Sequence, residues 1–152
     1  MRATGLKTTV LAIAFGLTVV GCATQDVGHV GAEPREQIAY AATAKYPGTT
    51  TPAQSSDRVQ VAAVDNLEDH KLTLMNLSDN TIPPSTAWIN GAYVYQLPTI
   101  QPRGVFEINY SDILMAGPNP GDLKQTGQTV RKVELQTHEG LFTVQGPSKR
   151  TD

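Results

Sequence analysis

From residue 57 onward, short runs of alternating apolar and polar residues are separated by turn residues, the pattern of strands buried on one face. Arg58-Val59-Gln60-Val61-Ala62-Ala63-Val64 predicts a first strand, and Lys71-Leu72-Thr73-Leu74-Met75-Asn76-Leu77 a second, which Ser78-Asp79-Asn80 terminates. Thr73 and Met75 also offer apolar atoms, as a strand covered on both sides would. Ala87-Trp88-Ile89, Asn90-Gly91 and Ala92-Tyr93-Val94 read as a hairpin with a two-residue type I′ turn, because Asn and Gly tolerate positive φ. That register sets Ile89 opposite Ala92, Trp88 opposite Tyr93 and Ala87 opposite Val94. Trp88, Tyr93 and Tyr95 then share one face of the ribbon, and Ala87, Ile89 and Val94 the other. Both faces are apolar, so the hairpin either lies between the body and a further layer or carries an exposed hydrophobic patch.

Beyond the hairpin, Gln101-Pro102-Arg103-Gly104 fits a type I turn. It launches a strand over 105–110 that turns Phe106, Ile108 and Tyr110 inward. The Pro- and Gly-rich residues 116–122 predict a loop. Residues 130–136 and 141–145 predict a last hairpin around Thr137-His138-Glu139-Gly140, followed by a loose tail over 147–152.

The start of the chain is patterned differently. Arg2 and Lys7 precede an apolar run over 10–20, which ends in Val19-Val20-Gly21-Cys22. This is the layout of a secretory signal. Its tail resembles a bacterial lipobox, with Val19 at −3, Val20 at −2, Gly21 at −1 and the single cysteine of the chain, Cys22, next. The resemblance implies export, diacylglyceryl transfer to Cys22, cleavage after Gly21 and acylation of the new amino terminus. An ordinary secretory signal with a chance cysteine is the plainer alternative. An uncleaved span is a third, opposed by Gly5, Gly16 and Gly21 in a stretch shorter than the roughly 20 residues a bilayer core needs. Ala23, where an Asp would mark inner-membrane retention, favours in a two-membrane cell the outer membrane facing the periplasm, or the cell surface; in a single-membrane cell the same anchor leaves the domain on the outer face of the plasma membrane.

Residues 22–56 read as a lipidated tether. Its end, Tyr46-Pro47-Gly48-Thr49-Thr50-Thr51-Pro52-Ala53-Gln54-Ser55-Ser56, holds too few large apolar groups to offset chain entropy. Within it Pro34, Glu36 and the Lys45…Pro47-Gly48 stop predict a short helix over 34–45, marginal in isolation. As a flexible spacer, the segment after Cys22 would reach on the order of 30 Å. Loss of residues 1–21 removes Arg2 and Lys7 and leaves ten basic against 14 acidic residues. An acidic balance argues against a nucleic-acid partner, which calls for a basic patch. With Cys22 lipidated, no internal disulfide can form.

Short strands throughout residues 57–146, with no convincing helix among them, predict an all-β antiparallel sandwich. The string from Leu74 through Ile108 resembles immunoglobulin-like and fibronectin-like domains of bacterial envelope proteins. The shared order is strand, Asn-Leu-Ser turn, Trp-bearing strand, aromatic hairpin, Pro-x-Gly turn, strand. The likeness is one of pattern, and the inter-sheet disulfide of antibody domains is missing, which leaves Trp88 without that partner.

Chemistry-bearing motifs are sparse. No Gly-x-Ser-x-Gly, His-Glu-x-x-His or phosphate-cradling glycine loop occurs. Glu68-Asp69-His70, and Asp65 with Glu68 and Asp69, are the nearest approaches to zinc or calcium ligands, and each reads more simply as a solvated turn. Glu107 with Asp112 or Glu134 would be an acid pair, but these look like solvent-face residues. The expectation is therefore no catalytic residue, no metal and no cofactor. Trp88, Tyr93 and Tyr95 are the candidate binding face. Turned outward, they would suit a sugar ring or another protein; turned inward, they are half the core. The function expected is a lipid-anchored, non-catalytic module that binds an envelope protein or serves structurally, with a carbohydrate-binding module as the alternative.

Overall fold

The computed structural model describes residues 33–48 and 60–149. The signal sequence, Cys22 and the Arg58-Val59 start of the first expected strand lie outside the described residues. Strand β1 (Val61–Asn66) and strand β2 (Lys71–Asn76) form an antiparallel hairpin, with Val61 opposite Asn76 and Asn66 opposite Lys71. Their alternation buries Val61, Ala63, Leu72 and Leu74 on one face. β2 pairs on its other side with β5 (Val105–Asn109), whose Phe106 and Ile108 are buried as the sequence predicts.

Asn76 ties the loops at this end together. Its side-chain amide donates to the carbonyls of Asn80 (2.7 Å) and Gln101 (3.0 Å), and its Oδ1 accepts from the Ser78 amide and hydroxyl. The Asn-Leu-Ser string is thus a turn held by a side chain that mimics the backbone.

The second sheet is built from β3 (Ser85–Ile89), β4 (Tyr93–Leu97), β6 (Leu114–Met115), β7 (Val133–Thr137) and β8 (Gly140–Thr143), in the order β6-β4-β3-β7-β8. The two sheets face each other across one core that includes Leu72, Leu74, Ile89, Ile108, Val133 and Leu135. Together they make an all-β sandwich with mostly antiparallel pairing. A short helix, α2 (Leu123–Thr126), closes one loop, capped by the Asp122 carboxylate at its start and by Gly127 at φ 62° at its end.

The tail departs from expectation. Residues 145–149 form β9 (Gln145–Lys149), which adds in parallel to β1, so the first sheet runs β5-β2-β1-β9. The chain leaves the second sheet at the buried Val144 and joins the first immediately after it. Gly146, at φ 94°, and Pro147 lie where the register slips by a residue. Proline has no N–H for a ladder and fits an edge strand at a bulge. An alternation count misses this strand because its Gly-Pro pair reads as a terminator.

The expected helix forms as α1 (Pro34–Thr43), with Pro34 at its first turn. It packs on the outer face of the second sheet. Ala41 is wholly buried, and the Ala41 carbonyl accepts from the Gly117 amide at 2.9 Å. Gln37, also buried, donates to the Gln96 carbonyl and accepts from the Gln96 amide, each at 3.2 Å. A side-chain amide here takes the place of the neighbouring strand, because β6 pairs only with Tyr93 and Val94 of β4. The folded unit therefore includes the segment around α1 as a third layer.

Candidate functional site

The register of the Trp88 hairpin decides what its candidate binding face is. The turn has three residues, Asn90, Gly91 and Ala92, so Ile89 pairs with Tyr93, Trp88 with Val94 and Ala87 with Tyr95. Asn90 and Gly91 do take positive φ, 55° and 69°. Ala92, however, donates to the Ile89 carbonyl (3.1 Å) and accepts from the Ala116 amide (2.8 Å), so it belongs to the turn and not to the ladder. A one-residue slip exchanges the faces of a strand. Trp88 and Val94 therefore point outward from the sandwich, while Ala87, Ile89, Tyr93 and Tyr95 point into its core.

All three rings are buried, Trp88 to 1%, Tyr93 to 1% and Tyr95 to 5% exposure, so they form no shared exposed platform for a sugar ring. Tyr93 and Tyr95 act as core residues. The Tyr93 hydroxyl donates to Thr126 Oγ1 at 2.8 Å, and the Tyr95 ring meets Phe106 at 6.1 Å. Burial, with the Asp112 carboxylate adding to it, pushes the Tyr95 phenol above its ordinary range.

Trp88 is covered by the N-terminal layer. The Tyr46 ring meets it edge-on, with centroids 5.3 Å apart at 73°, and its Nε1 donates to Gln136 Oε1 at 2.8 Å. Val94, Leu114, Leu141 and Ala41 complete this second apolar cluster. At its border the Tyr46 hydroxyl donates to Glu134 Oε2 (2.7 Å), while Lys132 Nζ reaches Glu134 Oε1 (2.7 Å). The hydrogen bond to Glu134 raises the Tyr46 phenol above its ordinary pKa, and the same carboxylate raises that of Lys132. Tyr40 adds a hydroxyl contact to Thr86 at 2.7 Å.

Glu134 was expected on a solvent face but is buried, because α1 and Tyr46 roof that side of the sheet. Nothing in Val133-Glu134-Leu135 signals this. Its supposed acid partners lie elsewhere: Glu107 pairs with Lys71 at the exposed edge of the other sheet, and Asp112 accepts from Asn109.

Asp65 is also buried, in the core face of β1, where the Tyr110 hydroxyl donates to its Oδ1. Burial first, and then this carboxylate, drives the Tyr110 phenol far above its ordinary pKa. Asp69 instead engages Asn66, and His70 Nδ1 meets the Leu67 carbonyl. Among the described residues no three His, Cys, Asp or Glu side chains converge as a metal site would require.

One open cavity of about 620 Å³ lies beside the hairpin turn, bordered by Asn90, Gly127, Gln128, Thr129, Arg131 and Lys132. Asn90 builds its wall. Its Nδ2 donates to the Thr129 carbonyl (2.9 Å), and its Oδ1 accepts from the amides of Arg131 (2.8 Å) and Lys132 (3.1 Å). The Asn90 amide in turn donates to the Lys132 carbonyl at 2.9 Å. The Asn-Gly dipeptide signals a turn, but not the loop that the Asn side chain would hold.

No family model, curated protein or solved structure matches the chain.

Proposed function

We propose that this chain is a lipid-anchored cell-envelope protein whose β-sandwich serves as a non-catalytic binding or structural module. The observation that carries the anchor is Val19-Val20-Gly21-Cys22 at the end of an apolar run behind Arg2 and Lys7, with no other cysteine in the chain. Acyl chains at about 0.8 kcal/mol per buried methylene would hold the body at a membrane without a protein span. The +2 residue, Ala23, directs the proposal to the outer membrane.

A non-catalytic role is supported by how the buried carboxylates are used. Asp65 holds Tyr110 within the first sheet, and Glu134 holds Tyr46 and Lys132, joining the N-terminal layer to the second sheet, so both are used in holding the fold together.

We infer an immunoglobulin-like type for the sandwich. β2 pairs with β5 and β3 with β7 across long stretches of chain, as strands B with E and C with F do in that architecture. β4 then stands as C′ and β8 as G. Trp88 lies on the strand corresponding to C but faces the helix, where Tyr46 replaces the missing disulfide as its partner. β6 and the parallel β9 have no counterpart in the seven-strand arrangement.

Metabolic labelling with a fatty acid, followed by membrane fractionation, tests the anchor. The wild type is expected to carry label and sediment with membranes, and Cys22→Ser to lose both. An unlabelled wild type in the soluble fraction would overturn the reading.

A further inference from the structure

We propose that the cavity beside the Asn90 turn binds a compact oxyanion, a phosphate or carboxylate group, through Arg131 and Lys132. The proposal rests on the binding-module reading and gives that module a ligand chemistry.

Four observations support it. The cavity, at about 620 Å³, falls in the size range of small-molecule sites and leaves room for the polar body that carries the anion. Its lining residues include the adjacent cationic Arg131 and Lys132 with the polar Asn90, Gln128 and Thr129, and none of them is acidic or aromatic. That donor set suits an anion and offers nothing for ring stacking. The wall is pre-organised, because the Asn90 side chain and amide hold residues 129–132 with four hydrogen bonds. A loop already fixed loses little freedom when a ligand arrives.

The charge distribution points the same way. The chain is acidic overall at a formal net charge of −2, and Arg131 brings a positive charge to the cavity border. The Lys132 ammonium is already paired with the Glu134 carboxylate at 2.7 Å, which offsets its charge and leaves it a supporting role. Arg131 is exposed at the cavity rim, and among the described residues no carboxylate lies within ion-pair distance of it. A planar guanidinium can engage two oxygens of a phosphate or carboxylate at once, which assigns Arg131 the principal contact and Lys132 the supporting one.

The test is a titration of the full chain, held in neutral detergent, followed by amide chemical shifts. Inorganic phosphate, acetate and chloride are added in separate arms at matched ionic strength. Saturable shifts confined to Asn90 and residues 127–132 are expected with phosphate or acetate but not with chloride, and the stronger arm names the oxyanion. Arg131→Gln is expected to weaken that binding at least tenfold while leaving shifts elsewhere unchanged. Linear or dispersed shifts that match chloride would overturn the site, as would an Arg131→Gln protein that binds as tightly as the wild type. Crosslinking in native membranes separates this from the parent reading. A captured partner with no oxyanion binding removes the site and leaves the module; oxyanion binding with no partner keeps the site and removes a protein partner.

Discussion

The Tyr46 hydroxyl donates to the buried Glu134 carboxylate at 2.7 Å, joining residues 88 positions apart in sequence. The bond pins the end of the N-terminal layer to the centre of the second sheet, beside Trp88. Removing the donor leaves Glu134 with Lys132 as its charged partner, and a hydrogen bond to a charged group contributes about 1.5–3 kcal/mol. Tyr46→Phe is expected to lower stability by about 1–2 kcal/mol in urea unfolding. Lys71→Ala, which breaks only an exposed pair with Glu107, is expected to change it by less than about 1 kcal/mol.

Trp88 is the single tryptophan of the chain, so its emission reports directly on the cover that α1 provides. Ala41→Glu places a carboxylate where the helix is wholly buried. The expected result is an undocked α1, a red-shifted Trp88 emission and a loss of about 2–3 kcal/mol, with the β-sheet circular dichroism retained. Unchanged emission would mean that Trp88 is shielded by something other than this layer.

Tyr110→Phe would strip the one described hydrogen-bond donor from Asp65, whose Oδ2 has no partner among the described residues. A buried carboxylate left so exposed to an apolar core is costly. The variant is expected to lose about 2–4 kcal/mol by chemical denaturation.

Alkaline pH should act through the same tyrosines. Tyr46, Tyr95 and Tyr110 all have phenol pKa values raised in the fold, Tyr46 chiefly by Glu134 and the other two chiefly by burial. A raised pKa means that the folded state favours the protonated phenol. The contribution is then complete below the unfolded value of about 10 and is lost as pH rises above it. Absorbance at 295 nm is expected to show these three titrating late, and urea midpoints to fall as pH rises above about 10.

Asn90→Ala tests the cavity wall. The variant loses the three side-chain hydrogen bonds that hold residues 129–132 and sets alanine at a positive φ of 55°. A loss of about 1–2 kcal/mol is expected, with faster amide exchange over 129–132.

Much of the sandwich was legible because its strands alternate cleanly: Leu72, Leu74, Phe106 and Ile108 are buried as their spacing requires. The hairpin at Asn90-Gly91 was legible as a turn but not in its register. Whether Ala92 closes the turn or opens the strand depends on its bond to Ala116, a residue in another part of the chain. Two apolar hairpin faces call for either a further layer or an exposed patch, and α1 supplies the layer. What hid that layer was its own composition. Ala41, Gln37 and Tyr46 hold it through fit and hydrogen bonding, with only a thin apolar stripe to signal burial. The buried Glu134 was hidden for the same reason, since its cover comes from residues far away in sequence.

The docking of α1 also sets a clearance. If the body began at residue 57, the whole segment after Cys22 would be free to lift it from the bilayer. With the helix packed on the sheet, at most eleven residues separate Cys22 from the docked layer at Glu33, a run that spans at most about 40 Å fully extended, against about 120 Å for the whole segment from Cys22 to residue 57. Under the lipid-anchor proposal, the module therefore rides close to its own membrane, entered from the start of α1.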